Sequence, residues 1–229
     1  MERKIIVTND GSVTIHLEDW NESYHSKHGA IQEAYHVFIK NGLDIFKNGE
    51  SVSVLEIGFG TGLNAFITYL EHQKRNLILD YVGVEAYPVL PEEVSQLNYV
   101  QELNANEFDS IFQVMHEANW EEKIEIDTSF KLTKRKQFFK DINDKEKYNL
   151  IYFDAFGFNV QPELWNEAIF MKMYDALLPN GILVTYACRG SIKRAMLSVG
   201  FQVEKLPGAP GKREMLRAIK KMITILNKF

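Results

Sequence analysis

The sequence predicts an α/β fold: a seven-stranded, mostly parallel sheet with an antiparallel C-terminal strand, plus a small N-terminal hairpin and helix. Three observations carry this. From residue 52 onward, short β-branched runs alternate with helical patterns, as in βαβ units with right-handed crossovers. A glycine-rich turn, Gly58-Phe59-Gly60-Thr61-Gly62, joins the first of these strands to the first helix. The last two strand-like runs are joined by Pro207-Gly208-Ala209-Pro210-Gly211 and no helix, so they should be antiparallel neighbours.

Residues 4–8 and 13–17 flank Asn9-Asp10-Gly11, a strong turn signal, and read as a hairpin. Residues 19–28, polar and aromatic, read as a loop. Residues 29–40 read as a helix, because Ile31, Ala34, Tyr35, Phe38 and Ile39 recur at helical spacing and Asn41-Gly42 ends it. Beyond the strand at 52–57 come a helix at 63–72, a strand at 77–84 and helical pattern over 91–118 with a break near Asn104-Ala105-Asn106. A strand at 123–132, a short helix at 136–142 and a strand at 149–154 follow. A helix over 162–178 is stopped by Pro179-Asn180-Gly181. Then come a strand at 182–188, a helix at 191–199 and closing strands at 201–206 and 214–219. Residues 1–50 are expected to be an extension packed on a core domain at 51–229.

Composition narrows the class. The 229 residues are 45% apolar and 25% charged, ordinary for a globular chain that builds a core without staples. The single cysteine, Cys188, excludes an intramolecular disulfide and a cysteine-rich zinc site, and points to a reducing compartment. It lies in an apolar run and is expected in the core. The six histidines show no ligand spacing, so no metal is expected. Met1-Glu2-Arg3-Lys4 leads into a strand-like run, not a secretory signal, and no apolar stretch approaches the roughly 18–20 residues of a transmembrane helix. A soluble cytoplasmic protein with no membrane contact is expected. The net charge of −5 does not exclude a nucleic-acid partner, because binding depends on where the basic groups lie.

The stretch from Glu56 to Asn64 carries the most chemistry. Glycines between a strand and a helix let the backbone approach a ligand, and the helix N-terminus offers free N–H groups. In an open α/β sheet this crevice is the usual ligand site. A pyrophosphate-binding fingerprint is spaced G-x-G-x-x-G; here the spacing is G-x-G-x-G, preceded by Glu56, whose charge would repel a pyrophosphate. That carboxylate suits the amino group of S-adenosylmethionine (SAM), and Glu85, ending the second strand, suits ribose hydroxyls. The pattern resembles the class I SAM-dependent methyltransferases, whose Rossmann-like sheet also closes on a helix-free β-ribbon. Gly58, Gly60, Thr61, Gly62 and Asn64 join Glu56 and Glu85 as candidate cofactor-binding residues. The alternative is a tight turn that binds nothing.

A second constellation follows the strand at 149–154. Asp154 ends that strand and faces the same crevice, with Phe156, Phe158 and Trp165 close behind it. A carboxylate beside aromatic faces suits a planar base carrying an amine. The plainer reading packs both phenylalanines against the sheet edge and makes Asp154 a helix cap.

Four stretches together resemble one family: Tyr24-His25-Ser26 through His36-Val37-Phe38, the loop from Glu56 to Asn64, Asp154-Ala155-Phe156 through Gln161-Pro162-Glu163-Leu164-Trp165, and Lys212-Arg213-Glu214-Met215-Leu216. They are similar to the methyltransferase domain of the bifunctional tRNA-modification enzymes MnmC and its stand-alone form, MnmD. The likeness runs over nearly the whole chain. It implies SAM as cofactor and, as substrate, tRNA whose wobble uridine bears a 5-aminomethyl group and often a 2-thio group. The product is 5-methylaminomethyl-(2-thio)uridine. In bifunctional members a fused FAD-dependent oxidase makes the amine; this chain is expected to lack that domain and to receive the amine from a separate upstream tRNA-modifying enzyme. Members often have Asp-Gly-Phe where this chain has Asp154-Ala155-Phe156, and many carry Gly-Asp near the adenine where it has Leu132-Thr133-Lys134-Arg135.

Asp154 is the expected catalytic residue, accepting a hydrogen bond from the amine and helping its proton leave. Tyr24, Phe156 and Phe158 are expected at the substrate, with Glu33 either tied to the site or solvated. Basic groups cluster at Lys131, Lys134, Arg135, Lys136 and Lys140, and at Lys212, Arg213, Arg217, Lys220 and Lys221; Lys212 and Arg213 match the family motif and are expected to bind tRNA phosphates. The competing enzyme readings are a small-molecule amine methyltransferase and an aminopropyltransferase. From other classes come a non-catalytic SAM- or RNA-binding module and a nicotinamide dehydrogenase, the last disfavoured by the loop spacing.

Overall fold

A computed structural model describes residues 2–222; Met1 and residues 223–229, the end of the domain expected at 51–229, lie outside the described residues. Three strands, β1 (Arg3–Val7), β2 (Val13–Leu17) and β3 (Glu22–Ser23), form a small antiparallel sheet. Thus β3 and a short 3-10 turn occupy part of the expected loop at 19–28. Helix α1 (Ala30–Ala34) continues as a wider π-wound turn over Tyr35–Lys40. It packs on the core through Ala30, Ala34, Val37 and Phe38.

The core alternates as expected: β4 (Ser51–Ile57), α2 (Leu63–Lys74) and β5 (Ile78–Glu85). The helical region at 91–118 is split into α3 (Pro91–Val94), α4 (Tyr99–Glu102) and α5 (Asp109–Glu117). Then come β6 (Lys123–Glu125), β7 (Phe130–Lys136), β8 (Tyr148–Phe153), α6 (Glu167–Ala176), β9 (Leu177–Thr185), α7 (Gly190–Ser198), β10 (Gln202–Pro207) and β11 (Glu214–Ile219).

These strands order as β10-β11-β9-β8-β4-β5-β7-β6, eight strands where seven were expected. Strands β9, β8, β4, β5 and β7 run parallel; β11 and β10 close one edge antiparallel. The extra strand comes from the run at 123–132. It is a hairpin, because Asp127 accepts the Ser129 N–H at 2.7 Å and turns the chain between β6 and β7. Strand β7 then runs on to Lys136, so the helix expected at 136–142 is reduced to a 3-10 turn over Phe139–Asp141. Pro179-Asn180-Gly181, expected to stop a helix, lies inside β9, where Asn180 takes a left-handed φ of 64°. The preceding helix ends at Ala176, and Cys188 lies half-buried beyond the end of β9 rather than in the core.

Alternation sends each central strand's side chains to two apolar layers. Val54, Tyr81 and Tyr152 join the layer with α1 and α2, whereas Leu55, Val82, Ile151 and Phe153 join the layer with α6 and α7. On β7 the same period turns Lys134 inward with Phe130 and Leu132. Lys134 is 2% exposed; its Nζ donates to the His116 carbonyl at 2.5 Å and lies 4.9 Å from the Trp120 ring centroid. Among the described residues it makes no ion pair.

Burial lowers the Lys134 pKa from 10.5 to about 8. Between those values the unfolded chain holds more protons than the native one, so this group makes stability rise with pH across that window. Lys134→Met should stabilise the fold near pH 7 by about 1–3 kcal/mol, a gain of several degrees in Tm. It should also flatten the rise between pH 8 and 10. Thermal melts at pH 7 and pH 10 check this; a variant that melts below the unmodified protein at pH 7 contradicts it.

Candidate active site

The parallel strands end on one edge, where the loops after β4, β5, β8 and β9 meet α1 and β3 around a cavity of about 1210 Å³. That volume exceeds the roughly 300–1,000 Å³ of a pocket for one small ligand, leaving room for two. The glycine turn forms one wall. Val84 O accepts from the N–H groups of Gly58 and Phe59, both at 3.0 Å, and Ile57 O accepts from Asp154 N–H at 2.9 Å. At Gly58 φ is 92°, and a Cβ there would meet Asp154 O at 2.5 Å, so only glycine lets the two loops touch. Glu85 closes the adjoining corner, with Oε2 accepting from Gly60 N–H at 3.1 Å and Oε1 from Tyr87 N–H at 2.9 Å.

A pair of carboxylates meets at Asn64, in the first turn of α2 and 3% exposed. Its Nδ2 donates to Asp154 Oδ2 at 2.8 Å and to Glu56 Oε1 at 3.0 Å. With both amide protons committed to carboxylates, the buried Asn64 Oδ1 has no partner among the described residues. Glu56 also accepts from the Tyr81 hydroxyl at 2.9 Å. Fully buried, it is pushed well above the usual carboxyl range, desolvation outweighing those two hydrogen bonds.

Asp154 is raised from 3.8 to about 7, first by desolvation and then by the charge of Glu33, against the Asn64 bond and the charge of Lys212. Glu33 reaches the site from α1 and is paired with Lys212, whose ammonium also sits 4.0 Å from the Tyr186 ring centroid. The loop after Asp154 is pinned twice. Tyr186 donates its hydroxyl to Ala155 O, and Trp165 donates Nε1–H to Phe156 O, both at 2.8 Å.

The structure brings together most of the residues singled out from sequence. Gly58, Gly60, Asn64, Glu85, Tyr24, Asp154, Phe156 and Lys212 line the cavity, as does Glu33. Phe156 meets Trp20 and Tyr24 edge-on, with centroids 5.7 and 5.0 Å apart. Five others stand elsewhere. Glu56 lies behind the wall and reaches the cavity only through Asn64. Thr61 is buried and bonded to the Tyr99 hydroxyl at 3.0 Å, and Gly62 packs against His116. Phe158 is covered by the Arg189 guanidinium at 4.4 Å, and Arg213 is exposed outside the cavity. The basic cluster at 131–140 is no continuous surface patch: Lys131 pairs with Glu125, Arg135 pairs with Asp144, both at 2.8 Å, and Lys134 is buried. Trp20, Tyr186, Tyr87 and Phe138 also line the cavity but escaped the sequence reading. Only Tyr186 had a usable signal, its place at the end of a parallel strand.

These groups fit SAM. The orphaned Asn64 Oδ1 offers an acceptor for an ammonium, Glu85 has lone pairs for ribose hydroxyls, and the glycine backbone at Gly58 and Gly60 permits close approach. Among the described residues no helix is long and apolar enough to cross a membrane.

Comparisons with known proteins agree. The family model described as "S-adenosyl-L-methionine-dependent methyltransferase" matches residues 97–221, more than half of the chain. The bifunctional protein MnmC of Leptospira interrogans, named for tRNA 5-methylaminomethyl-2-thiouridine biosynthesis, is 28% identical over 92% of this chain and 34% of its own length. The protein of the same name from Azoarcus sp. is 28% identical over 86% of this chain and 33% of its own. This chain thus spans about a third of the curated relatives it matches. Among solved structures, MNMC2 from Aquifex aeolicus superposes with a TM-score of 0.75 at 24% identity, covering 95% of this chain and 70% of that one. Spermidine synthase from Thermotoga maritima gives 0.61 at 14% identity, covering 96% and 69%. At these identities the structural likeness shows the fold. With the family match, the chain belongs to the S-adenosyl-L-methionine-dependent methyltransferases.

Proposed function

We propose that this chain methylates the 5-aminomethyl nitrogen on the wobble (2-thio)uridine of tRNA, giving 5-methylaminomethyl-(2-thio)uridine. An upstream tRNA-modifying activity would supply the amine. The observation that carries the reading is Asp154: a half-buried carboxylate just past the end of β8, oriented by Asn64 and raised to about 7, beside the glycine turn. The names of the MnmC relatives supply the uridine and its amine.

Bound SAM supplies an electrophilic methyl group on a sulfonium, which is a good leaving group. What remains for the protein is alignment and proton removal. An alkylammonium has no lone pair, so the substrate must lose a proton to become a nucleophile. A carboxylate whose pKa lies near neutrality is a better base than an exposed one near 4, and in its ionised form it also attracts the cation. Asp154 takes both parts: it draws the ammonium in, accepts its proton and holds the nitrogen. Asn64 fixes the carboxylate plane through Oδ2, leaving Oδ1 of Asp154 for the substrate. Glu33 adds negative charge that Lys212 partly cancels. Phe156, held between Trp20 and Tyr24, offers an aromatic surface to the base.

Transfer of labelled methyl from SAM to tRNA that already carries the 5-aminomethyl group tests the reading, with tRNA lacking that group as the control. Label in the first and not the second is expected. Equal labelling of both, or labelling only of small amines, contradicts it.

A further inference from the structure

We infer that the first turn of α7 and the adjoining β10–β11 loop form a face for RNA phosphates that holds the substrate backbone beside the cavity; this rests on tRNA being the substrate. Strand β9 ends at Thr185 on the cavity edge, Tyr186 lines the cavity, and the chain then enters α7 through Arg189. The free N–H groups and positive pole of this nine-residue helix therefore point to the edge where the base must enter.

Cations gather there. Arg189 and Arg194 are exposed, Lys193 is half-buried, and the first turn of α7 holds no acidic residue. A Cβ on Gly190 would meet Arg194 Nη1 at 3.3 Å, so that guanidinium folds back over the helix start. Arg189 donates to Asn159 Oδ1 at 2.8 Å and stacks on Phe158, which ties the cluster to the loop that follows Asp154. Arg213 extends the face from the β10–β11 loop. Glu214, held mainly by its bond to Lys205, also feels the charges of Arg213 and Lys193, so those two cations from separate elements stand near one group.

Among the described residues, Arg189, Lys193, Arg194 and Arg213 make no ion pair, whereas Arg217 and Lys220 from the same basic cluster do. Unpaired cations and free backbone donors match phosphodiester oxygens. They would set the position of the backbone without reading bases, which suits recognition of one modified nucleotide within a single-stranded loop.

The test is a fluorescence-anisotropy titration of labelled tRNA at several salt concentrations. It compares the unmodified protein with Lys193→Gln/Arg194→Gln/Arg213→Gln and with a control, Lys47→Gln/Lys145→Gln/Lys147→Gln. The control residues are exposed, precede β4 and β8 at the opposite edge of the sheet, and remove the same charge. The face variant should bind tRNA about tenfold more weakly near physiological salt. Its plot of log affinity against log salt should be less steep by about 2, from three lost phosphate contacts. Its S-adenosylhomocysteine affinity and Tm should match the unmodified protein, and the control should bind tRNA normally. If the unmodified protein methylates tRNA but the face variant keeps its affinity and slope, or the control loses as much, the face is overturned alone. If the unmodified protein binds S-adenosylhomocysteine and no tRNA, the face and the substrate reading fall together.

Discussion

Asp154→Asn should lower kcat for the proposed tRNA methylation by about 10³-fold and leave the Kd for S-adenosylhomocysteine within about threefold. The substitution is isosteric. Its side-chain oxygen can still accept from Asn64 Nδ2, so the packing of the Gly58 turn against residue 154 survives. What it loses is the ability to take a proton and the charge that draws in an ammonium. The same change has a signature in stability. Burial raises the native Asp154 pKa to about 7 from 3.8, so between those values the native state holds more protons than the unfolded chain. This group's contribution to stability therefore falls as pH rises through that window, and the penalty is fully present above pH 7. The asparagine variant has no such penalty and should have the higher Tm at pH 8. Turnover within tenfold of the unmodified enzyme would remove Asp154 from the chemistry.

Asn64→Leu should lower kcat by about 10²-fold and move the acid limb of the pH–rate profile above pH 7. One amide serves two carboxylates, and leucine removes both hydrogen bonds at once. Asn64 is among the groups that hold the Asp154 pKa down, so its loss drives that pKa further up. A larger fraction of the enzyme is then protonated at pH 7 and unable to accept the amine proton. Glu56 keeps only its bond from Tyr81, and stability should fall by about 1–3 kcal/mol. The shifted limb separates this role from a merely structural one, because a loosened fold would lower kcat at every pH. Measured kcat from pH 5 to 9 decides: a profile that drops without moving contradicts the clamp.

The legible part of this site is the part written in local chemistry. Gly58, Gly60 and Gly62 all adopt positive φ, which glycines between a strand and a helix announce. Asp154 and Glu85 follow from lying at or just past strand ends, because parallel strands in an open sheet deliver those positions to one edge. What was not legible depends on contacts across the chain. Glu56 was expected at the ligand's ammonium, yet Tyr81 from the neighbouring strand and Asn64 from α2 enclose it, so its charge acts through an amide. Lys212 was expected on phosphates, but its partner Glu33 lies 179 residues away, and no local pattern links them. Lys134 was read as a member of a basic cluster; alternation on β7 put it inside, whereas period-2 reasoning needs the strand boundaries that the unrecognised hairpin had displaced.

The most direct test of the account is nucleoside mass spectrometry of tRNA carrying 5-aminomethyl-(2-thio)uridine after incubation with this protein and SAM. The account predicts loss of that nucleoside and a matching gain of a species heavier by one methylene, with the added methyl found by fragmentation on the exocyclic amine. A methyl on a base ring nitrogen, on a ribose oxygen or on any other nucleotide, with the amine left untouched, would contradict it.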